Sequence, residues 1–184
     1  MSFTLASASP RRRQLLAHVG LEPPVVPSHV DETPRPGEPP VAYALRVAED
    51  KARACPAAGP VLAADTVVDL DDTICGKAAD EAEARAMLAR LSGQTHLVHT
   101  AVVLRDVAGD TRSLVVSTRV RFRSLTEAEI ARYVAGGEPM DKAGAYGIQG
   151  EGGALVAWVE GSYTNVVGLP LEETLELLAQ GGLR

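Results

Sequence analysis

Lysine is scarce in this 184-residue chain: only Lys51, Lys77 and Lys142 stand among its 18 basic residues. An arginine-rich solvated surface needs no functional account. An ammonium, however, is a compact point charge suited to phosphate or metal-rich surroundings, so the places of these three lysines are informative. Cysteine is rarer still. Cys55 and Cys75 form no CxxC pair and make no disulfide framework; they read as buried or incidental thiols in a reducing compartment rather than as a metal or redox site. No apolar run approaches the length of a membrane span. Phe3–Ala6, ahead of the polar and basic run Ser7–Arg13, make no secretory h-region, so a cytoplasmic protein is expected. A net charge of −6 and a pI near 5.2 argue against a general nucleic-acid binder, while leaving room for a local cluster of cations around a small anion. The Walker A pattern is missing, which excludes P-loop nucleotide binding. His18, His29, His96 and His99 lack HExxH or other metal spacing and read as structural or exposed.

The remainder reads as one domain, residues 1–184, of alternating strands and helices. A strand is expected over Phe3–Ser7, and a helix opens at Ser9-Pro10 with Ser9 as N-cap and ends at Gly20. The proline-rich stretch from Glu22 to Pro40 reads as a loop, with a short strand near Val25. A helix over Val41–Ala54 follows, then a buried strand over Val61–Asp69 that turns at Asp71-Asp72 and returns over Thr73–Cys75. Asp80 caps a helix to Leu91, Thr95–Val107 and Thr111–Phe122 form a hairpin, and Thr126-Glu127-Ala128-Glu129 is a capping box. Gly136–Gly153 reads as a glycine-rich loop, Ala154–Val159 as a strand and Pro170–Ala179 as a last helix. The fold class expected is α/β, a mixed twisted sheet with flanking helices.

Four segments carry residues of chemical interest. In Ser7–Arg13 a strand ends and a helix begins with three arginines in its first turn. Cations are unfavourable there for the helix itself, but free N–H groups and the macrodipole draw an anion to the same place. The alternative is a solvated basic turn. Asp65, with Thr66, interrupts an apolar strand, and a buried carboxylate must be paired, hydrogen-bonded or bound to metal; it could equally be a structural cap. Asp31 and Glu32 matter only if their loop folds back towards Asp65, where a second carboxylate would help hold a divalent cation. Asp69, Asp71 and Asp72 read as turn residues. In Asp141–Gly150 the glycines allow close approach of backbone to a ligand, and Gln149 offers a donor and an acceptor to a base edge.

These segments, taken in order, resemble the Maf family of nucleotide pyrophosphatases. The matching pieces are Leu5–Arg12, Asp31-Glu32, Ala48–Ala52 with Lys51, Ala64-Asp65-Thr66, Gly76-Lys77, Leu91-Ser92-Gly93, Asp141–Gly150, and Gly161-Ser162-Tyr163 with Asn165–Pro170. The resemblance implies two lobes around a deep cleft, as in inosine triphosphate pyrophosphatases. It implies metal-dependent hydrolysis (Mg, Mn or Co) at the α-phosphate of a nucleoside triphosphate, and a homodimer. By the same resemblance, Asp65 is the catalytic acid group, as metal ligand or general base, and Glu32 a metal helper. Ser9, Arg11, Arg12, Lys51 and Lys77 form the phosphate-binding set. Thr66 and Gln149, with Arg11, resemble the branch acting on dTTP and UTP. Ala78 departs from the family, which usually has Pro after the lysine. A competing expectation, also from the family, is a nucleotide-binding regulator of septum formation or cell division with little turnover.

Overall fold

The computed structural model describes residues 2–183. Its frame is a sheet in the order β1 (Thr4–Leu5), β2 (Val61–Leu70), β4 (Thr95–Arg105), β5 (Thr111–Phe122) and β6 (Val156–Glu160), with β3 (Thr73–Cys75) also pairing β2. β1 runs parallel to β2 and every other pairing is antiparallel. The expected hairpin joins β4 to β5 through residues 106–110, and Asp71 and Asp72 make the β2–β3 turn with φ of 53° and 61°. Asp adopts this left-handed backbone more readily than most residues.

Helices α1 (Pro10–His18) and α2 (Pro40–Ala54) both open on proline, whose fixed φ and missing N–H suit a first turn. α3 (Glu81–Leu91) is capped by Asp80, and α4 (Glu127–Ala135) by the complete Thr126–Glu129 capping box. α5 (Tyr163–Val167) and α6 (Leu171–Gln180) close the chain. The first strand spans two residues rather than Phe3–Ser7, because its partner pairing covers only Val61 and Leu62. Val25 adds the expected short extended contact, bridging to Leu5. The region 136–153 is not plain loop but holds 3₁₀ turns at Glu138–Asp141 and Glu151–Leu155.

Three apolar clusters divide the interior. One joins Leu5, Leu16, Leu62, Ala64, Val102, Leu104 and Leu178; a second joins α2 to Ala63, Val67, Ala101 and Val103. The third joins α3, α4 and the 143–155 region to Val68, Val98, Val120 and Phe122. Along one face, then, β2 passes from one core to another between Ala64 and Val68, and β4 does so between Val102 and Val98. The residues at the crossing, Thr66 and Thr100, are polar and directly opposite one another. Apolar side chains there would fuse the two cores; the hydroxyls mark the line between the lobes.

One edge of β2 positions the site. β1 pairs that edge at Val61–Leu62 and β3 pairs it at Val68–Leu70, while β4 takes the other edge throughout. Strand pairing therefore skips the stretch around Asp65 and Thr66. An unpaired edge inside a sheet leaves room for a cleft, and the chain places its polar residues there.

Candidate active site

A cleft of about 630 Å³ opens at this gap, and all nine residues singled out from the sequence line it: Ser9, Arg11, Arg12, Glu32, Lys51, Asp65, Thr66, Lys77 and Gln149. They come from α1, the 22–39 loop, α2, β2, the segment after β3 and the glycine-rich loop. Lys142 lines it as well, so every lysine of the chain faces one cavity. A surface-composition account of the scarce lysines does not predict that.

Lys51 is the centre of the arrangement. It projects from α2, is 9% exposed, and its Nζ lies 2.7 Å from Asp65 Oδ1 and 2.8 Å from Glu32 Oε1. The other Glu32 oxygen is 3.4 Å from Lys77 Nζ. The loop after β1 thus folds back towards Asp65 as the carboxylate pairing required, and Tyr43 holds it there by donating to the Glu32 carbonyl at 2.9 Å. Asp31 does not join the cluster. It accepts from the Thr33 N–H instead and stabilises the turn.

The two carboxyls are driven in opposite directions. Burial pushes Asp65 up, and Lys51 and Arg12 only partly offset it. Burial also raises Glu32, but the hydrogen bond and charge of Lys51 and the charge of Lys77 outweigh it and hold Glu32 below its usual range. Asp65 Oδ2 has no hydrogen-bond partner among the described residues and belongs to the cleft lining. One oxygen of Asp65 and one of Glu32 converge on the Lys51 ammonium, and both carboxylates supply hard oxygen donors to the cleft. Among the described residues no group of three His, Cys, Asp or Glu side chains gathers, so the donor set fits a divalent cation that takes its remaining ligands from water and phosphate.

Arg12 is placed differently from Arg11. It is 8% exposed, donating from Nε to the Gly168 carbonyl at 2.8 Å, from one terminal nitrogen to Ser7 Oγ at 3.0 Å and from the other to Thr66 Oγ1 at 3.1 Å. Thr66 shares a further hydrogen bond of 2.9 Å with Thr100. Arg12 and Thr66 therefore brace the cleft floor while lining it. Arg11 is freer, with one contact of 3.4 Å to the exposed Asp141. Ser9 occupies the N-cap of α1, yet its side chain makes no capping hydrogen bond, which leaves its hydroxyl to the cleft. Gln149 is exposed and its side chain bonds to no other described residue.

Several residues escaped the sequence reading. Glu138 and Ser28 also line the cleft, as do Asp141 of the glycine-rich motif and His29, which is exposed as expected. Asp69, read as a turn residue, is 7% exposed and lies 3.3 Å from His99 Nε2, because its alternation on β2 turns it inward with Asp65 and Val67. Ala78, where the resembling family has Pro, is buried, and next to it Lys77 bridges to Ala143, which ties that segment to the glycine-rich loop.

Comparison with known proteins bears on the fold and the family. A HAM1 protein from Coxiella burnetii has a similar fold at a TM-score of 0.50 and 19% identity, with 98% of this chain and 99% of that one covered. A dTTP/UTP pyrophosphatase of Myxococcus xanthus is 54% identical over 98% of this chain and 93% of its own length. One of Hyphomonas neptunium is 53% identical over 98% and 95%. The family model of the Maf-like proteins matches residues 2–181, and the chain belongs to that family.

Proposed function

We propose that this chain is a nucleoside triphosphate pyrophosphatase that hydrolyses dTTP and UTP, and modified pyrimidine triphosphates of the same shape, to the monophosphate and pyrophosphate. The observation that carries the proposal is the Glu32–Lys51–Asp65 cluster, with contacts of 2.8 Å and 2.7 Å, in a cleft that also holds Ser9, Arg11 and Lys77. The names of the relatives at over half identity point to the same reaction.

The chemistry follows from the placement of charge. A triphosphate brings about four negative charges, and cleavage of a phosphoanhydride depends mainly on positioning and on neutralising them. Lys77 and Arg11 bring positive charge to the phosphates, together with the Ser9 hydroxyl and the first N–H groups of α1. Asp65 Oδ2 takes a proton from a water aligned with the α-phosphorus. The water oxygen bonds to that phosphorus as the bond to the bridging oxygen breaks, and pyrophosphate leaves with the electron pair. Lys51 fixes the Asp65 carboxylate by holding Oδ1. Asp65 and Glu32 would hold a divalent cation (Mg, Mn or Co), which would supply charge neutralisation to the triphosphate. Gln149 meets the pyrimidine edge, where an unmatched buried hydrogen bond discriminates strongly.

The reading takes residues 1–184 as one domain and the protein as a cytoplasmic homodimer acting on a small nucleotide, without nucleic-acid or membrane partners. No helix of the described residues is long and apolar enough to cross a membrane. Hydrolysis of dTTP in ¹⁸O-water tests the bond cleaved. The label is expected in the monophosphate; label in pyrophosphate, or release of orthophosphate alone, would contradict attack at the α-phosphorus. A binding regulator of division would instead be stabilised by dTTP without releasing product.

A further inference from the structure

The glycines of the loop that carries Gln149 are explained by the protein itself rather than by a ligand. A Cβ on Gly150 would lie 2.2 Å from Glu138 Oε2, one on Gly152 would lie 2.6 Å from the Tyr133 hydroxyl oxygen, and one on Gly147 would lie 2.7 Å from Lys142 Cε and 3.1 Å from Glu138 Oε1. The Glu138 carboxylate sits inside the loop and excludes side chains from its inner surface. It accepts from the Tyr133 hydroxyl at 2.9 Å and from the N–H groups of Glu151 at 3.0 Å and Gly152 at 3.1 Å. The Tyr133 oxygen in turn accepts from the Gly147 N–H at 3.1 Å.

One carboxylate and one phenol thus hold both ends of the segment 147–152, and Gln149 lies between the fixed points. We infer that Glu138, braced by Tyr133, is a positioning residue that sets Gln149 for selection of the nucleobase. The inference rests on the nucleotide reading above. Both carboxylate oxygens are already committed to the loop, so Glu138 acts through Gln149 rather than on the substrate. Glycine loses more conformational freedom than any other residue when fixed, and a recognition loop of glycines selects poorly unless its order is established before binding. All partners of the carboxylate are donors, so the clamp requires the ionised form. Burial works against ionisation, but the bonds from Gly152, Tyr133 and Glu151, with Lys142 nearby, hold the group below its usual range.

Glu138→Gln tests this, because it puts an amide NH₂ where the partners also donate. Amide exchange at Gly147, Glu151 and Gly152 should accelerate. The KM for dTTP should rise by about tenfold, with a smaller change in kcat, and the preference for dTTP and UTP over dATP and GTP should fall by a similar factor. Inhibition by inorganic tripolyphosphate, which reports only the phosphate side, should keep its wild-type value. Tyr133→Phe, which releases only the Gly147 end, should give a smaller shift in the same direction and carries the test should the first variant not fold. Wild-type exchange and wild-type selectivity in the variants would overturn the inference while leaving the pyrophosphatase reading intact. A wild-type protein that turns over no nucleotide would overturn both.

Discussion

Lowering the pH from 7 to 5 should destabilise the fold through one residue, His96. It is 2% exposed on β4, shares a 2.9 Å hydrogen bond with the Tyr146 hydroxyl, and lies edge-on to the rings of Phe122 and Tyr146 at 5.1 Å and 5.5 Å. Burial away from any countercharge pushes its pKa down to about 4 from an ordinary 6.5. The folded-state pKa is depressed, so the neutral ring's contribution is complete above pH 6.5 and is lost as the pH falls towards 4, while the unfolded chain takes the proton first. At about 1.4 kcal/mol per unit, the loss between pH 6.5 and 5 is roughly 2 kcal/mol, a large part of a total stability of about 5–15 kcal/mol. Glu38 and Glu129, each held at about 2, act only below the ordinary carboxylate range and leave this window clear. Urea unfolding at pH 7, 6 and 5, compared with His96→Gln, isolates the effect: Gln can still pair with Tyr146 but does not titrate. The difference also cancels Asp65, whose raised pKa works in the opposite direction. The wild type should lose stability relative to the variant as pH falls. Parallel curves for the two proteins would refute the assignment.

Other residues separate bracing from binding. Arg12→Ala strips hydrogen bonds from the Gly168 carbonyl, Ser7 and Thr66 in the interior and should cost about 3 kcal/mol, seen as a fall in Tm of roughly 6–12 °C. Arg11→Ala removes only a long surface pair and should leave Tm nearly unchanged while raising the KM for dTTP; the opposite pattern would exchange their roles. Gln149→Glu should lower kcat/KM for dTTP and UTP by about a hundredfold with little change in Tm, whereas equal losses on every nucleotide would remove Gln149 from base recognition. Chelation of divalent cations should abolish turnover reversibly, with activity restored by Mg, Mn or Co; full activity in the chelator would remove the metal from the account.

The parts of the fold written in local chemistry were legible in the sequence. The Thr126–Glu129 capping box, the Asp80 cap and the β4–β5 hairpin each follow from a few adjacent residues, and each is present. The short helix α5 was not legible, since five residues carry too little periodicity and only the Ser162 cap marks it. For the site, the family motifs identify residues but not their partners. Arg11 and Arg12 are adjacent and of one type, yet one is braced from three directions and the other is nearly free, because α1 turns them to different surroundings. Glu138 was invisible for a similar reason. Its partners are backbone N–H groups 13 and 14 residues away, which no side-chain pattern records. The only local trace was the spacing of the glycines: Gly147 and Gly150 read as room for a ligand, when that room is already filled by the side chains of Glu138 and Lys142.

The central claim is that Asp65 performs the chemistry. Pyrophosphate release from dTTP, UTP and a panel of other nucleoside triphosphates, in Mg, Mn and Co, should therefore be measured for the wild type and for Asp65→Asn. The asparagine keeps the shape and one oxygen for Lys51, which retains Glu32 as a charged partner, so the variant should stay folded. The account predicts selective, metal-dependent turnover of dTTP and UTP in the wild type and a loss of about a hundredfold to ten-thousandfold in the folded variant. Turnover by Asp65→Asn near the wild-type rate would contradict it and leave Asp65 as a structural partner of Lys51.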